Sequence, residues 1–161
     1  MPGSTLRNWP ERAVPTDEAL AGGGMEQVRR KLEQAMSVSA CARWLALLPG
    51  VEVLSAGDVI ARAEVPACLS LSGRGAFGGY LAALADYGAS LAVLSAVDEG
   101  RTFVTASLEM AYNHPAAPGR LDMHGTVERL SARWAVVSVK LLQDGRAVAR
   151  GRAEEVVMAR C

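Results

Sequence analysis

The stretch that most constrains this chain is Gly75–Val97, GAFGGYLAALADYGASLAVLSAV, which is small or apolar on every side with one ionisable residue, Asp86, near its middle. Its length and composition predict a single long helix. A helix that is hydrophobic all round is buried, either in a protein core or in a membrane. An unpaired carboxylate placed there costs on the order of several kcal/mol unless it finds a partner or takes up a proton. Asp86 is therefore the first candidate for a functional role. Gly78 and Gly79 stand where the first helical turn begins, so a ligand can approach outward-pointing N–H groups at the positive end of the helix dipole. A bare helix N-terminus followed two turns later by a buried carboxylate suits acyl transfer.

The rest of the chain argues for a core rather than a membrane around this helix. Asp86, Ser90 and Ser95 interrupt the run, and no belt of aromatic or basic residues flanks it. The 161 residues are about one domain's worth, with 50% hydrophobic residues to supply a core. The 17 basic and 17 acidic residues balance without a dense basic run, which speaks against nucleic acid or an anionic membrane as partner. Cys41, Cys68 and Cys161 are odd in number and lack metal-ligand spacing, as expected of free thiols in a reducing cytoplasm. No charged segment followed by an apolar one marks a signal peptide at the N-terminus.

Residues 1–24 are rich in proline and end in Gly22-Gly23-Gly24, which predicts a mobile leader before a single domain over residues 25–161. Met25, Val28, Leu32 and Met36 recur at helical spacing, and Trp44, Leu45 and Leu48 extend that face as far as Pro49-Gly50. The period then changes to two. Val51–Leu54 and Val59–Val65 form a hairpin, with Val59, Ala61, Ala63 and Val65 on one face. Beyond the long helix come strands at Phe103–Tyr112, Leu121–Leu130, Trp134–Gln143 and Arg146–Met158, the last two joined by the hairpin signal Asp144-Gly145. In the first of these, Val104, Ala106, Leu108, Met110 and Tyr112 are expected to share a face. The order predicts an α+β domain in which an antiparallel sheet wraps one central helix.

That order, and the residues on it, resemble the hotdog-fold acyl-CoA thioesterases. Phe77-Gly78-Gly79, six mostly small apolar residues and then Asp86 are similar to the family's helix motif. The strand Val104–Tyr112 running into Pro115-Ala116 and Gly119, and the segment Asp144–Gly151, resemble the branch related to phenylacetate degradation (PaaI-like). The likeness spans roughly residues 40–158 and rests on the order of motifs that are individually weak. It implies that Asp86 is the catalytic carboxylate, activating water or attacking the thioester directly. It also implies that the Gly78 N–H polarises the thioester carbonyl and that the Thr105 hydroxyl lies near the attacking water. Phe77, Gly79, Ser90 and Ser72 complete the implied substrate-binding set. The family brings these parts together across a dimer interface, so a homodimer or a dimer of dimers is expected. No metal and no cofactor is called for. Relatives carry Asn or Gln six residues before the motif, where this chain has Leu71 between Ser70 and Ser72.

Each candidate has a plainer role. Asp86 could cap a loop or pair with an arginine, Gly78 and Gly79 could serve close packing, Thr105 could be an ordinary β-branched strand residue, and Ser90 could bond its own backbone. Tyr80 is expected to pack. His114 and His124 lack ligand spacing and are expected at the surface, and Arg74, Arg120 and Arg133 are scattered. The expected activity is cytoplasmic hydrolysis of an acyl- or aryl-CoA thioester. A non-catalytic acyl-CoA or lipid-ligand binding protein is the alternative from another class. A hotdog dehydratase or hydratase is a further alternative, against which the missing acid–His pair counts.

Overall fold

The computed structural model describes residues 23–70 and 74–160. Two helices open the described chain, α1 (Gly23–Val38) and α2 (Ala40–Trp44), followed by strands β1 (Glu52–Ser55) and β2 (Asp58–Val65). The central helix α3 (Gly78–Ala96) precedes β3 (Arg101–Tyr112), β4 (Gly119–Leu130), β5 (Trp134–Gln143) and β6 (Arg146–Ala159). All six strands join one antiparallel sheet in the order β1-β2-β4-β5-β6-β3, and α3 lies against its inner face. This is the expected α+β hotdog architecture, a sheet wrapped around one long helix.

Strand parity decides what α3 meets. Val59, Ala61, Ala63 and Val65 of β2, Leu121 and Met123 of β4, and Val137, Val139 and Leu141 of β5 are all buried. They close on Leu84, Ala85, Ala89, Ala92 and Val93 of the helix. The small residues of α3 let the sheet come close. A methyl group at Gly125 of β4 would stand 2.5 Å from the Gly88 carbonyl oxygen, so helix and strand meet backbone to backbone. Length and mean hydropathy would permit α3 to cross a membrane, yet 56% of its most apolar window is buried within this fold. Lys31 of α1 donates to the carbonyls of Leu94 (3.0 Å) and Val97 (3.1 Å), placing a cation on the negative end of the helix dipole.

Four local expectations need correction. The helix predicted from Gly75 begins at Gly78, because Gly75 has φ +117 and Ala76 is held by the Ala116 carbonyl at 2.8 Å. The helix predicted over Met25–Leu48 breaks at Ser39, whose backbone is extended and whose Oγ accepts from the Ala42 N–H to start α2. Trp44 does not continue the buried face. It is 67% exposed, while Leu45 beside it is fully buried. In β3 the predicted apolar face is split by a bulge between Thr105 and Ser107. Val104, 53% exposed, falls off that face, while Leu108 and Met110 pack on the core. The leader expected over residues 1–24 lies outside the described residues except at Gly23 and Gly24, which open α1.

Candidate active site

The N-terminus of α3 is open. Phe77 is its N-cap, with extended backbone and no side-chain hydrogen bond to the helix. The Tyr80 and Leu81 N–H groups turn back to the Phe77 carbonyl, at 3.1 and 3.4 Å. The Gly78 and Gly79 N–H groups have no acceptor among the described residues. Both glycines also serve close packing. A Cβ at Gly78 would meet the Tyr112 ring at 3.2 Å, and one at Gly79 would meet the Phe77 ring at 2.7 Å. Tyr112 at the end of β3 donates its hydroxyl to the Gly78 carbonyl at 3.0 Å. A cleft of about 850 Å³ opens here, lined by Arg74, Phe77, Gly78, Leu81, Tyr112 and His114 among others.

Asp86 lies on the same helix but outside that cleft. It stands eight positions after Gly78, about 12 Å along the axis at the usual rise. One chain therefore does not bring the Gly78 N–H and the Asp86 carboxylate to a single carbonyl. Nor is Asp86 deeply buried. It is half-buried on the stripe of α3 that includes Ala82, Ala83, Ser90 and Leu94, which the sheet covers incompletely. Its hydrogen-bond partner is Thr105, whose Oγ1 donates to Asp86 Oδ1 at 2.8 Å. The β3 bulge contributes to this by restoring Thr105 and Leu108, which are three residues apart, to the face that looks at α3.

The fully buried carboxyl is a different one. Glu155 of β6 pairs directly with Thr105 across the sheet and has no exposed surface. Its Oε1 lies 3.4 Å from Thr105 Oγ1, and its Oε2 is buried without a partner. Burial, and then the Asp86 charge, push its pKa up to about 7, against the opposing effect of the Thr105 hydrogen bond. The sequence carried one signal for this residue. Ala149, Gly151, Ala153 and Val157 are the inward positions of β6, and Glu155 shares their parity.

The remaining candidates separate. Among the described residues Ser90 makes no hydrogen bond to Asp86. Ser72 and Leu71 lie outside the described residues, and the neighbouring Ser70 accepts from the Gly75 N–H at 3.2 Å. Tyr80 is fully buried and donates to the Leu45 carbonyl at 2.9 Å, a packing role. Arg120 pairs with Asp122, and Arg133 lines a separate cleft beside β6. His114 contacts Arg146 at 3.1 Å. His124 is not the free surface residue expected. It is partly buried, with Nε2 2.6 Å from Asp58 Oδ1, which also accepts from Thr126. No three His, Cys, Asp or Glu side chains among the described residues are grouped to hold a metal ion.

Residues 75–149, which run from the approach to α3 into β6, match the family model described as the thioesterase superfamily. The TT0310 protein of Thermus thermophilus is 31% identical, with 71% of this chain and 93% of that one covered and a TM-score of 0.61. This chain belongs to the thioesterase superfamily. Its fold is similar to that of the Escherichia coli PaaI protein from the phenylacetic acid degradation operon, at 19% identity and a TM-score of 0.74 over 83% of this chain and 95% of that one. It is likewise similar to a Haemophilus influenzae thioesterase, at 21% identity and a TM-score of 0.70 over 81% and 90% of the two chains. No match was found among curated proteins. The segment matched to the superfamily contains Gly78, Asp86 and Thr105 and ends before Glu155.

Proposed function

We propose that the chain hydrolyses an acyl- or aryl-CoA thioester to the free acid and CoA, with Asp86 as general base and the Gly78 N–H as oxyanion donor. The observation that carries this reading is the Asp86–Thr105 pair. It sets a half-buried carboxylate midway along the helix whose N-terminus presents N–H groups without an acceptor among the described residues. Asp86 accepts no hydrogen bond beyond that from Thr105 among the described residues, which leaves lone pairs for a water molecule. In the proposed step Asp86 takes a proton from water as its oxygen bonds to the thioester carbon. The oxyanion that forms is held by the Gly78 N–H, where the helix dipole adds to the hydrogen bond. Collapse of the adduct breaks the C–S bond, and the proton passes from Asp86 to the leaving thiolate.

The separation of about 12 Å between Gly78 and Asp86 supports a site shared by two copies of the chain, Asp86 from one and Gly78 from the other. β3 offers the surface for such a partner. It is a sheet edge 12 residues long, with Val104 and Tyr112 more than half exposed and no strand on its outer side among the described residues. Edges of that length are commonly paired or blunted in proteins. A homodimer, or a dimer of two such dimers, is the proposed assembly.

Thiol release from a panel of aryl- and alkanoyl-CoA thioesters, measured for wild type and Asp86→Asn, tests the proposal. Loss of a general base predicts a fall of about two orders of magnitude or more in kcat for a folded variant. Equal rates in the two proteins would remove Asp86 from the chemistry. Tight thioester binding without release from either protein would point instead to a non-catalytic binding protein.

A further inference from the structure

Thr105 Oγ1 stands between two carboxyl groups, 2.8 Å from Asp86 Oδ1 and 3.4 Å from Glu155 Oε1. A threonine hydroxyl has one hydrogen to donate and lone pairs to accept with. If both carboxyls were ionised, both would compete for that hydrogen and one would be left without it. If Glu155 brings a hydrogen of its own, none is contested: the Glu155 O–H donates to Thr105 Oγ1, and the Thr105 O–H donates to Asp86. The surroundings of Glu155 favour that arrangement. It is completely buried, one of its oxygens has no partner, and no Lys, Arg or His forms an ion pair with it among the described residues. Asp86 of α3 is the charged group that faces it. β3 offers the Thr105 hydroxyl, and Ala135 and Val137 of β5 beside it cannot ionise.

We propose that Glu155 is a positioning residue of the Asp86 site: carrying a proton, it donates to Thr105 Oγ1 and thereby fixes the Thr105 hydroxyl on Asp86. The role deepens the hydrolytic reading given above and rests on it for its effect on rate. The upward displacement of the Glu155 pKa, caused by burial and by the Asp86 charge, agrees with the proton the geometry asks for. Ionising Glu155 would draw the Thr105 hydrogen away from Asp86 and set a second negative charge beside it.

Two measurements test this. In the first, kcat and KM for thioester hydrolysis are followed against pH. Wild-type kcat is expected to fall on the alkaline side with an apparent pKa near 7. Glu155→Gln keeps an N–H donor toward Thr105 and is expected to retain most of the activity while losing that limb. Glu155→Ala is expected to lower kcat by about tenfold, the worth of one orienting hydrogen bond, with KM little changed. An alkaline limb that persists in Glu155→Gln, or a Glu155→Ala variant as active as wild type, would overturn the proposal. In the second, the Glu155 carboxyl is titrated by carbon NMR without substrate, in wild type and in Asp86→Asn. Its midpoint is expected near 7 in wild type and lower in Asp86→Asn, where the neighbouring charge is gone. A midpoint in the ordinary glutamate range in both would overturn the hydrogen-bond order even if thioesters are hydrolysed. A raised, Asp86-dependent midpoint upholds it even if none is, so failure here is distinguishable from failure of the hydrolytic reading.

Discussion

At the scale of single residues, the buried Glu155 carboxyl ties stability to pH in a direction the geometry fixes. Its folded pKa is raised to about 7 from 4.5, so between those values the unfolded chain has lost a proton that the folded chain still holds. The stability this contributes is complete below about pH 4.5 and is lost as pH rises toward and through about 7. The loss amounts to up to roughly 3 kcal/mol for a shift of that size. Glu155→Gln removes the titration. Urea unfolding at one fixed protein concentration should therefore show the variant gaining on wild type between pH 5 and pH 8. A constant difference across that range would contradict the assignment. Asp86 was visible in the sequence because a charge stands out in an apolar helix. Its partial exposure was not, because which stripe of α3 the sheet leaves uncovered depends on the curvature of strands far along the chain. Glu155 was hidden for the converse reason: strands tolerate charges on their outer face, and only inward parity distinguishes it from Glu154 beside it.

At the scale of elements, composition and period located every strand and the central helix to within a few residues. What they missed were interruptions set by single side chains or by pairing. Ser39 caps its own backbone and restarts a helix where apolar spacing alone reads as continuous. The β3 bulge reverses parity between Thr105 and Leu108, and no residue in that segment announces it. Close approach of α3 to β4 was foreshadowed by the small residues of the helix, although its contact point at Gly125 was not. A side chain at Gly125 must push against the Gly88 backbone, which cannot rotate aside. Gly125→Ala is expected to destabilise the fold by about 1–3 kcal/mol, the usual penalty for overpacking, measurable as a lowered denaturation midpoint. A variant as stable as wild type would show that helix and strand do not meet as closely as described.

At the scale of the whole molecule, the proposed site needs two copies of the chain. In the proposed site Gly78 at the start of α3 and Asp86 near its middle serve one chemistry, and the long β3 edge beside Asp86 has no strand neighbour among the described residues. Both facts are accounted for by a second copy that supplies the missing half of each site. The most direct test is complementation between two inactive chains. Asp86→Asn removes the base. Gly78→Pro removes the N–H donor at the first helical position, where the extended backbone of Phe77 suits a following proline and the Tyr112 ring, 3.2 Å from an added Cβ, must give by a few tenths of an ångström. Each variant is made alone, and the two are also co-expressed under different tags so that the mixed dimer can be purified. In the mixed dimer one site carries both defects and the other carries neither. Thiol release near half that of the wild-type dimer, from parents that are each nearly inactive, is the predicted result. A mixed dimer as inactive as its parents would contradict a site built from Asp86 of one chain and Gly78 of the other.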